Sequence, residues 1–245
     1  MRIDVITVFP KILYDPLNES ILKQARKRID LEINLIDLRD YSEDKHRTVD
    51  DTPYGGGPGM ILKPKPIFSA CEKIFAEKND RENSRVIFPT PQGRLFSQKS
   101  AAELSNTPHL VFICGHYKAV DQRVIDYWVT DEFSIGDFIV SGGELAALVM
   151  IDAIIRLQPG VLGDIDSART DSFQNNLLDC PYYTRPEEYQ GLRVPEVLLS
   201  GHHQNIERWR QKQRIERTRS RRPDLYYRYI NETIYSEKEN ESRRS

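Results

Sequence analysis

Cysteine is scarce and badly spaced for any shared task. Cys71, Cys114 and Cys180 are odd in number, far apart and never in a Cys-x-x-Cys pair. That argues against a disulfide framework or a zinc site and fits a reducing cytoplasm. Long apolar runs are also missing: nothing approaches the roughly eighteen residues of a membrane span, so no membrane partner is expected. Met1-Arg2-Ile3-Asp4-Val5-Ile6 reads as the charged start of a strand rather than a signal peptide. An excess of one charge is absent too, since 35 Lys and Arg face 37 Asp and Glu for a net −2. Global charge therefore gives no sign of nucleic-acid binding, and any such signal has to be local.

The 245 residues, 39% hydrophobic, suffice for one large domain or two of ordinary size. Strand-like apolar runs recur at Ile3–Phe9, Leu31–Leu38, Arg85–Pro89, Leu110–Cys114 and Phe133–Val140, with helical patterns such as Ile67–Phe75 between them. Continuous apolar strands alternating with helices predict an α/β fold with a mostly parallel sheet covered on both faces. A helix over Glu144–Leu157 closes this block at Gln158-Pro159-Gly160. The expected organisation is a domain over 1–161, a polar linker over 162–170, a mainly helical domain over 171–236 and a fraying charged tail over 237–245.

The most distinctive segment is Ser134-Ile135-Gly136-Asp137-Phe138-Ile139-Val140-Ser141-Gly142-Gly143-Glu144-Leu145. Glycine permits sharp turns and close approach by a ligand or another chain segment. Two glycine breaks around an apolar pivot, just before a long helix, fit either a buried strand-to-helix turn or backbone aimed at a ligand. Two shorter segments also follow strands: Phe88-Pro89-Thr90-Pro91-Gln92-Gly93 and Cys114-Gly115-His116-Tyr117. Ligands in parallel α/β sheets bind beyond the carboxyl ends of strands. Three marked strand ends together favour one cofactor pocket.

The run Asp50-Asp51-Thr52-Pro53-Tyr54-Gly55-Gly56-Gly57-Pro58-Gly59 is stiff and nearly free of side chains. It lacks the Lys-Ser/Thr of a phosphate-binding loop and does not match Gly-x-Gly-x-x-Gly, which argues against nucleotide-triphosphate hydrolysis and ordinary dinucleotide binding. It is either a structural surface loop or exposed backbone that receives a base, with Asp50 and Tyr54 as polar contacts.

Asp171, three residues before Gln174, has the spacing of a helix capping box. The functional alternative is a carboxylate general base, whose basicity a helix N-terminus would weaken. Arg156 either satisfies helix C-terminal carbonyls or stabilises negative charge on a substrate. From His202 to Arg222, eight Lys and Arg face two acids, and Arg210, Arg214, Arg217 and Arg221 share one helix face, with Ile206 and Trp209 on another stripe. Such a face can neutralise phosphates. Tyr182, Tyr183 and Arg185 add surface that can stack on bases or pack a small core.

Taken in order from Met1 to about Tyr227, these motifs resemble the bacterial tRNA (guanine-N1)-methyltransferases of the TrmD type, in the SPOUT class of knotted methyltransferases. Further support comes from His46–Asp51, Leu177-Leu178-Asp179-Cys180-Pro181, Tyr183-Thr184-Arg185-Pro186, Val197–Gly201 and Arg208-Trp209-Arg210. The resemblance implies a deep trefoil knot and S-adenosylmethionine bent against loops 88–93, 115–117 and 134–143, with backbone at Ile135 and Val140 holding the adenine. It implies a homodimer with shared active sites, and tRNA rather than DNA as partner. By the same resemblance Asp171 removes the guanine N1 proton and Arg156 steadies the developing charge. Asp50 and the Gly55, Gly57 and Gly59 loop read the target guanine, which lies immediately 3′ of the anticodon, and its 5′ neighbour; Arg185, Arg208, Arg210 and Arg214 are expected on the RNA. One departure matters: Gly115-His116-Tyr117-Lys118-Ala119 stands where the family usually has Gly-Arg-Tyr-Glu-Gly. The usual Glu is tied to the methionine moiety and to magnesium. Lys118 is therefore expected to point outward or pair with a carboxylate, and magnesium not to act in the same way. Ala146 replaces a common Pro.

Overall fold

The computed structural model describes residues 1–78, 81–162 and 171–242. The chain divides into two units, Met1–Gly163 and Asp164–Ser245. In the first, strands β1 (Arg2–Thr7), β2 (Glu32–Asp37), β5 (Ser84–Leu95), β6 (His109–Ile113) and β8 (Asp131–Ser134) form one sheet in the order β2-β1-β6-β5-β8, every pair parallel. Central β6 is buried at every residue, as a strand with helices on both faces must be.

Each face has its own core. Ile3 and Val5 of β1 point toward α2 (Ser20–Arg28), α4 (Gln98–Ser105) and α6 (Gly143–Ile155). Ile6 and Val8 point the other way, toward α3 (Pro64–Lys78) and α5 (Gln122–Trp128). At the N-terminal side of the sheet, Asp4 binds Nε2 of His109 at 2.7 Å, and Ser84 Oγ lies 3.0 Å from His109 Nδ1. Asn34 and Arg2 also donate to Asp4, at 2.9 and 2.8 Å. Burial pushes the Asp4 carboxyl up, but these hydrogen bonds outweigh it and hold it below the usual carboxylate range.

Two strand boundaries differ from the sequence pattern. The run over Phe133–Val140 leaves the sheet after Ser134, because Ser134 Oγ accepts from Gly136 N at 3.1 Å and Gly136 takes φ 145°, turning the chain away. The strand over Arg85–Pro89 does not stop at Pro89. Pro89 and Arg94 both pair with Phe133 while Thr90–Gly93 loop out between them. Prolines 89 and 91 cannot donate to a ladder, so a bulge is the structure that tolerates them.

A short sheet joins β3 (Asp50–Asp51), β4 (Ile61–Leu62) and β7 (Ala119–Val120). The remaining described α-helix of this unit is α1 (Lys11–Tyr14), beside 3₁₀ turns at Pro16–Asn18 and Leu38–Tyr41. The second unit holds a small hairpin, β9 (Glu188–Tyr189) and β10 (Leu192–Arg193), then α7 (Glu196–Leu199), α8 (His203–Arg221) and α9 (Pro223–Ser242). Helix α9 extends into the stretch where the sequence suggests fraying, while 243–245 lie outside the described residues. So does the expected linker from Gly163 onward.

Candidate active site

Beyond the C-terminal ends of β5, β6 and β8 opens a cleft of about 420 Å³. Its wall includes Phe88, Pro89, Thr90, Pro91 and Gln92 from the β5 bulge, Gly115 and Tyr117 after β6, and Ser134, Ile135, Gly136, Phe138, Val140, Gly142 and Gly143 after β8. Three segments separated by tens of residues thus converge because parallel strands end on the same side. Gly93 does not line the cleft. A Cβ there would lie 2.4 Å from backbone atoms of Glu132 and Phe133, so glycine is required where the β5 bulge lies close against β8. Phe138 and Ile139 are exposed, so this apolar pivot is cleft rim, not core.

The glycine-rich loop is the tip of the β3–β4 hairpin. Gly55, Gly56, Gly57 and Gly59 all take positive φ, with open space around the first three, and Tyr54 is fully exposed. The hairpin is fastened to the cleft wall: β4 pairs with β7, and Lys118 N donates to Met60 O at 3.0 Å. Before it, Asp44 organises the turn by accepting from Thr48 and His46, which holds its exposed carboxyl at about 2. Asp50 is half-buried in β3. Lys118 lines the cleft, is exposed, and lays its aliphatic stem against Gly59. Among the described residues no carboxylate lies within ion-pair distance of it.

Behind the cleft is a second acid–histidine cluster. Glu144, buried in the first turn of α6, accepts from Thr7 Oγ1 at 2.7 Å. Its other oxygen lies 3.8 Å from His116 Nδ1. His116 also lines the cleft, although spacing alone did not single it out; only its place inside the strand-end glycine motif could have. Arg156 is the C-cap residue of α6, its amide donating to Asp152 O at 3.1 Å.

In the second unit, the capping box expected at Asp171 does not form. No α-helix follows; Gln174–Asn176 is a single 3₁₀ turn in which Asn175 and Asn176, after Phe173, take positive φ. A left-handed backbone cannot continue a helix, so the Asp-x-x-Gln spacing caps no α-helix among the described residues. The basic face of α8 also divides. Thr218 is fully buried and accepts from Leu178 N at 2.8 Å. Arg217 donates to Asp179 O at 3.5 Å, and Nε and Nη2 of Arg214 are buried without a hydrogen-bond partner among the described residues. This side therefore packs on Leu177–Cys180. Arg208, Lys212, Arg219 and Arg221 are the exposed cations, while Arg210 pairs with Glu207 at 2.8 Å. Ile206 lines a groove with Pro181, Tyr182, Tyr183, Arg185 and Arg210, and Trp209 leans on Tyr183 with ring centroids 6.5 Å apart.

The family model described as "tRNA (Guanine-1)-methyltransferase TrmD" matches residues 1–228. A tRNA (guanine-N(1)-)-methyltransferase of Brevibacillus brevis is 54% identical over 225 residues, covering 92% of this chain and 91% of the relative. Its counterpart from Halalkalibacterium halodurans is 52% identical with the same coverage. That of Staphylococcus aureus is 51% identical over 94% of this chain and 92% of its own. With a family model spanning nearly the whole sequence and relatives above half identity along it, the chain belongs to the TrmD family of tRNA (guanine-1)-methyltransferases.

Proposed function

We propose that the cleft at the strand ends binds S-adenosylmethionine and that the chain methylates N1 of the guanine immediately 3′ of the anticodon in tRNA. The convergence of three separated loops on one cleft carries this reading. The volume suits a cofactor of this size. Phe88, Ile135, Phe138 and Val140 supply apolar walls for an adenosyl group, with Thr90, Gln92 and backbone groups as polar contacts. When bound, S-adenosylmethionine supplies an electrophilic methyl group on sulfur.

Guanine N1 carries a proton, so it becomes a nucleophile only as that proton leaves. Asp171 accepts it, and Arg156 faces the charge that develops on the base. Asp50, Tyr54 and the Gly55–Gly59 hairpin tip receive the guanine and its 5′ neighbour. Arg185, Arg208 and Arg210 contact the RNA; the buried nitrogens of Arg214 favour a packing role for it. The ammonium of Lys118 on the cleft wall disfavours a cation beside it, so no step is routed through magnesium.

The glycine-marked loops after β5, β6 and β8 fit the trefoil knot that the family resemblance implies. Ile12, Tyr14, Leu145 and Val149 leave an exposed apolar area on α1 and α6, which pack together; such a patch favours burial against a second copy, in a homodimer that shares its active sites.

Calorimetric titration with S-adenosylmethionine, followed by mapping of the methylated nucleotide in tRNA, tests the reading. Asp171→Ala is expected to abolish turnover with cofactor affinity nearly intact. A methyl group on a different base would overturn the assigned substrate, and absence of cofactor binding would reduce the chain to an RNA-binding module. Substantial methylation by Asp171→Ala would remove Asp171 from the proton transfer.

A further inference from the structure

His116 Nδ1 is buried and has no hydrogen-bond partner among the described residues. Leaving a buried donor or acceptor unpaired carries a desolvation cost. Glu144 Oε2 stands 3.8 Å away, about 1 Å beyond a charge-assisted hydrogen bond. Three segments meet at this pair. Thr7, at the end of β1, holds the far oxygen of Glu144 at 2.7 Å. His116 belongs to the loop after β6 and bridges Gly142 by its backbone; Gly143 N donates to Gly115 O at 2.8 Å. Gly142 has no side chain where one would intrude, since its Cβ would lie 2.3 Å from Glu144 Oε2 and 2.4 Å from His116 Nδ1. His116, Gly142 and Gly143 all face the cleft.

We infer that His116 and Glu144 are a positioning pair for the cofactor: filling the cleft draws the 115–117 and 141–143 walls together and closes the imidazole–carboxylate hydrogen bond. The inference rests on the cleft being the S-adenosylmethionine site. The pair touches neither the transferred methyl group nor the guanine, so its effect falls on cofactor affinity. Titratable groups facing the imidazole are Glu144 from α6 and Tyr117 beside it; Phe9 covers the ring at 4.7 Å.

A double-mutant cycle on cofactor affinity, read by calorimetry, tests this. His116→Phe keeps a ring without a donor, and Glu144→Gln keeps the shape without the charge. Each is expected to weaken S-adenosylmethionine binding about tenfold, with the double variant no weaker than either single. His116→Arg, which restores a cationic donor, is expected to stay within about threefold of the parent, and His116→Phe without cofactor to melt like the parent. Multiplying single effects, or tight binding by His116→Phe, overturns the inference. If Glu144→Gln does not fold, the contrast between His116→Phe and His116→Arg decides alone: equal losses overturn it. A parent chain that fails to bind the cofactor overturns the reading of the cleft and this inference with it, whereas normal binding without coupling overturns the inference only.

Discussion

At one end of the central strands Asp4, His109 and Ser84 sit in mutual hydrogen-bond contact at 2.7 and 3.0 Å; at the other, Glu144, His116 and Thr7 bring the same three chemical groups together with one contact opened to 3.8 Å. The first set lies between β1, β5 and β6 where nothing has to enter, and Asn34 and Arg2 complete the shell around Asp4. The second lies against the cleft and leaves a buried imidazole nitrogen unpaired. A fully partnered buried polar group adds to stability, while a partly partnered one carries an uncompensated desolvation cost. The difference is one of completion rather than composition.

Removing the keystone of the completed set is expected to have the largest effect. Asp4→Ala leaves His109, Asn34 and Arg2 without their shared acceptor, at a cost of about 3–5 kcal/mol. The melting temperature should fall by roughly 10 °C, with cofactor affinity in the folded fraction unchanged; a change confined to affinity would break the comparison. The same residue sets a pH arm. Its folded-state carboxyl is held below the unfolded value of about 3.9, so its contribution is present above that value and is lost as pH falls through the lower folded one. Denaturant midpoints should therefore drop below about pH 4 in the parent, and drop less there in Asp4→Asn.

Gly142→Ala is the matching probe at the open end. Gly142 is extended, with φ −163° and ψ 169°, so alanine adds no backbone strain. The nearest atoms to its methyl group are Glu144 Oε2 and the His116 ring. Cofactor affinity is expected to fall about tenfold while the melting temperature moves by about 2 °C or less. A large loss of stability with intact affinity would mean that the open set is structural like the other.

The two ends also differ in how far the sequence reveals them. The alternation of apolar strands and helices specifies the parallel sheet, since strands covered on both faces must be apolar throughout. Glycine at strand ends marks the cleft, because the backbone there has to turn and approach other groups. Asp4, His109 and Ser84 carry no such mark: they lie in separate strands, and only register places them together. Glu144 and His116 do lie inside the glycine-marked segments, but their pairing across a helix start and a loop is visible only in the fold. The capping pattern at Asp171 misleads because Asp-x-x-Gln permits a helix without compelling one, and the left-handed backbone at Phe173 and Asn175 decides against it. The basic periodicity of α8 places Arg210, Arg214, Arg217 and Arg221 on one face but cannot tell that part of this face packs on Leu177–Cys180.

The smallest effect separates the two sides through their thiols. Burial pushes Cys71 up to about 12, and burial with the nearby Glu144 raises Cys114 well above the ordinary thiol range. Neither reacts as it stands, since the thiolate is the nucleophile; labelling of either requires local opening. Cys71 lies in α3, within the core away from the cleft. Cys114 lies at the end of β6, where a Cβ on Gly143 would come within 3.0 Å of its Cα. A cofactor that draws the walls together should therefore slow labelling of Cys114 a few-fold and leave Cys71 unchanged, as read by mass spectrometry of the alkylated peptides. Equal slowing of both would mean that the ligand stabilises the whole unit, and that the open set does not respond separately from the completed one.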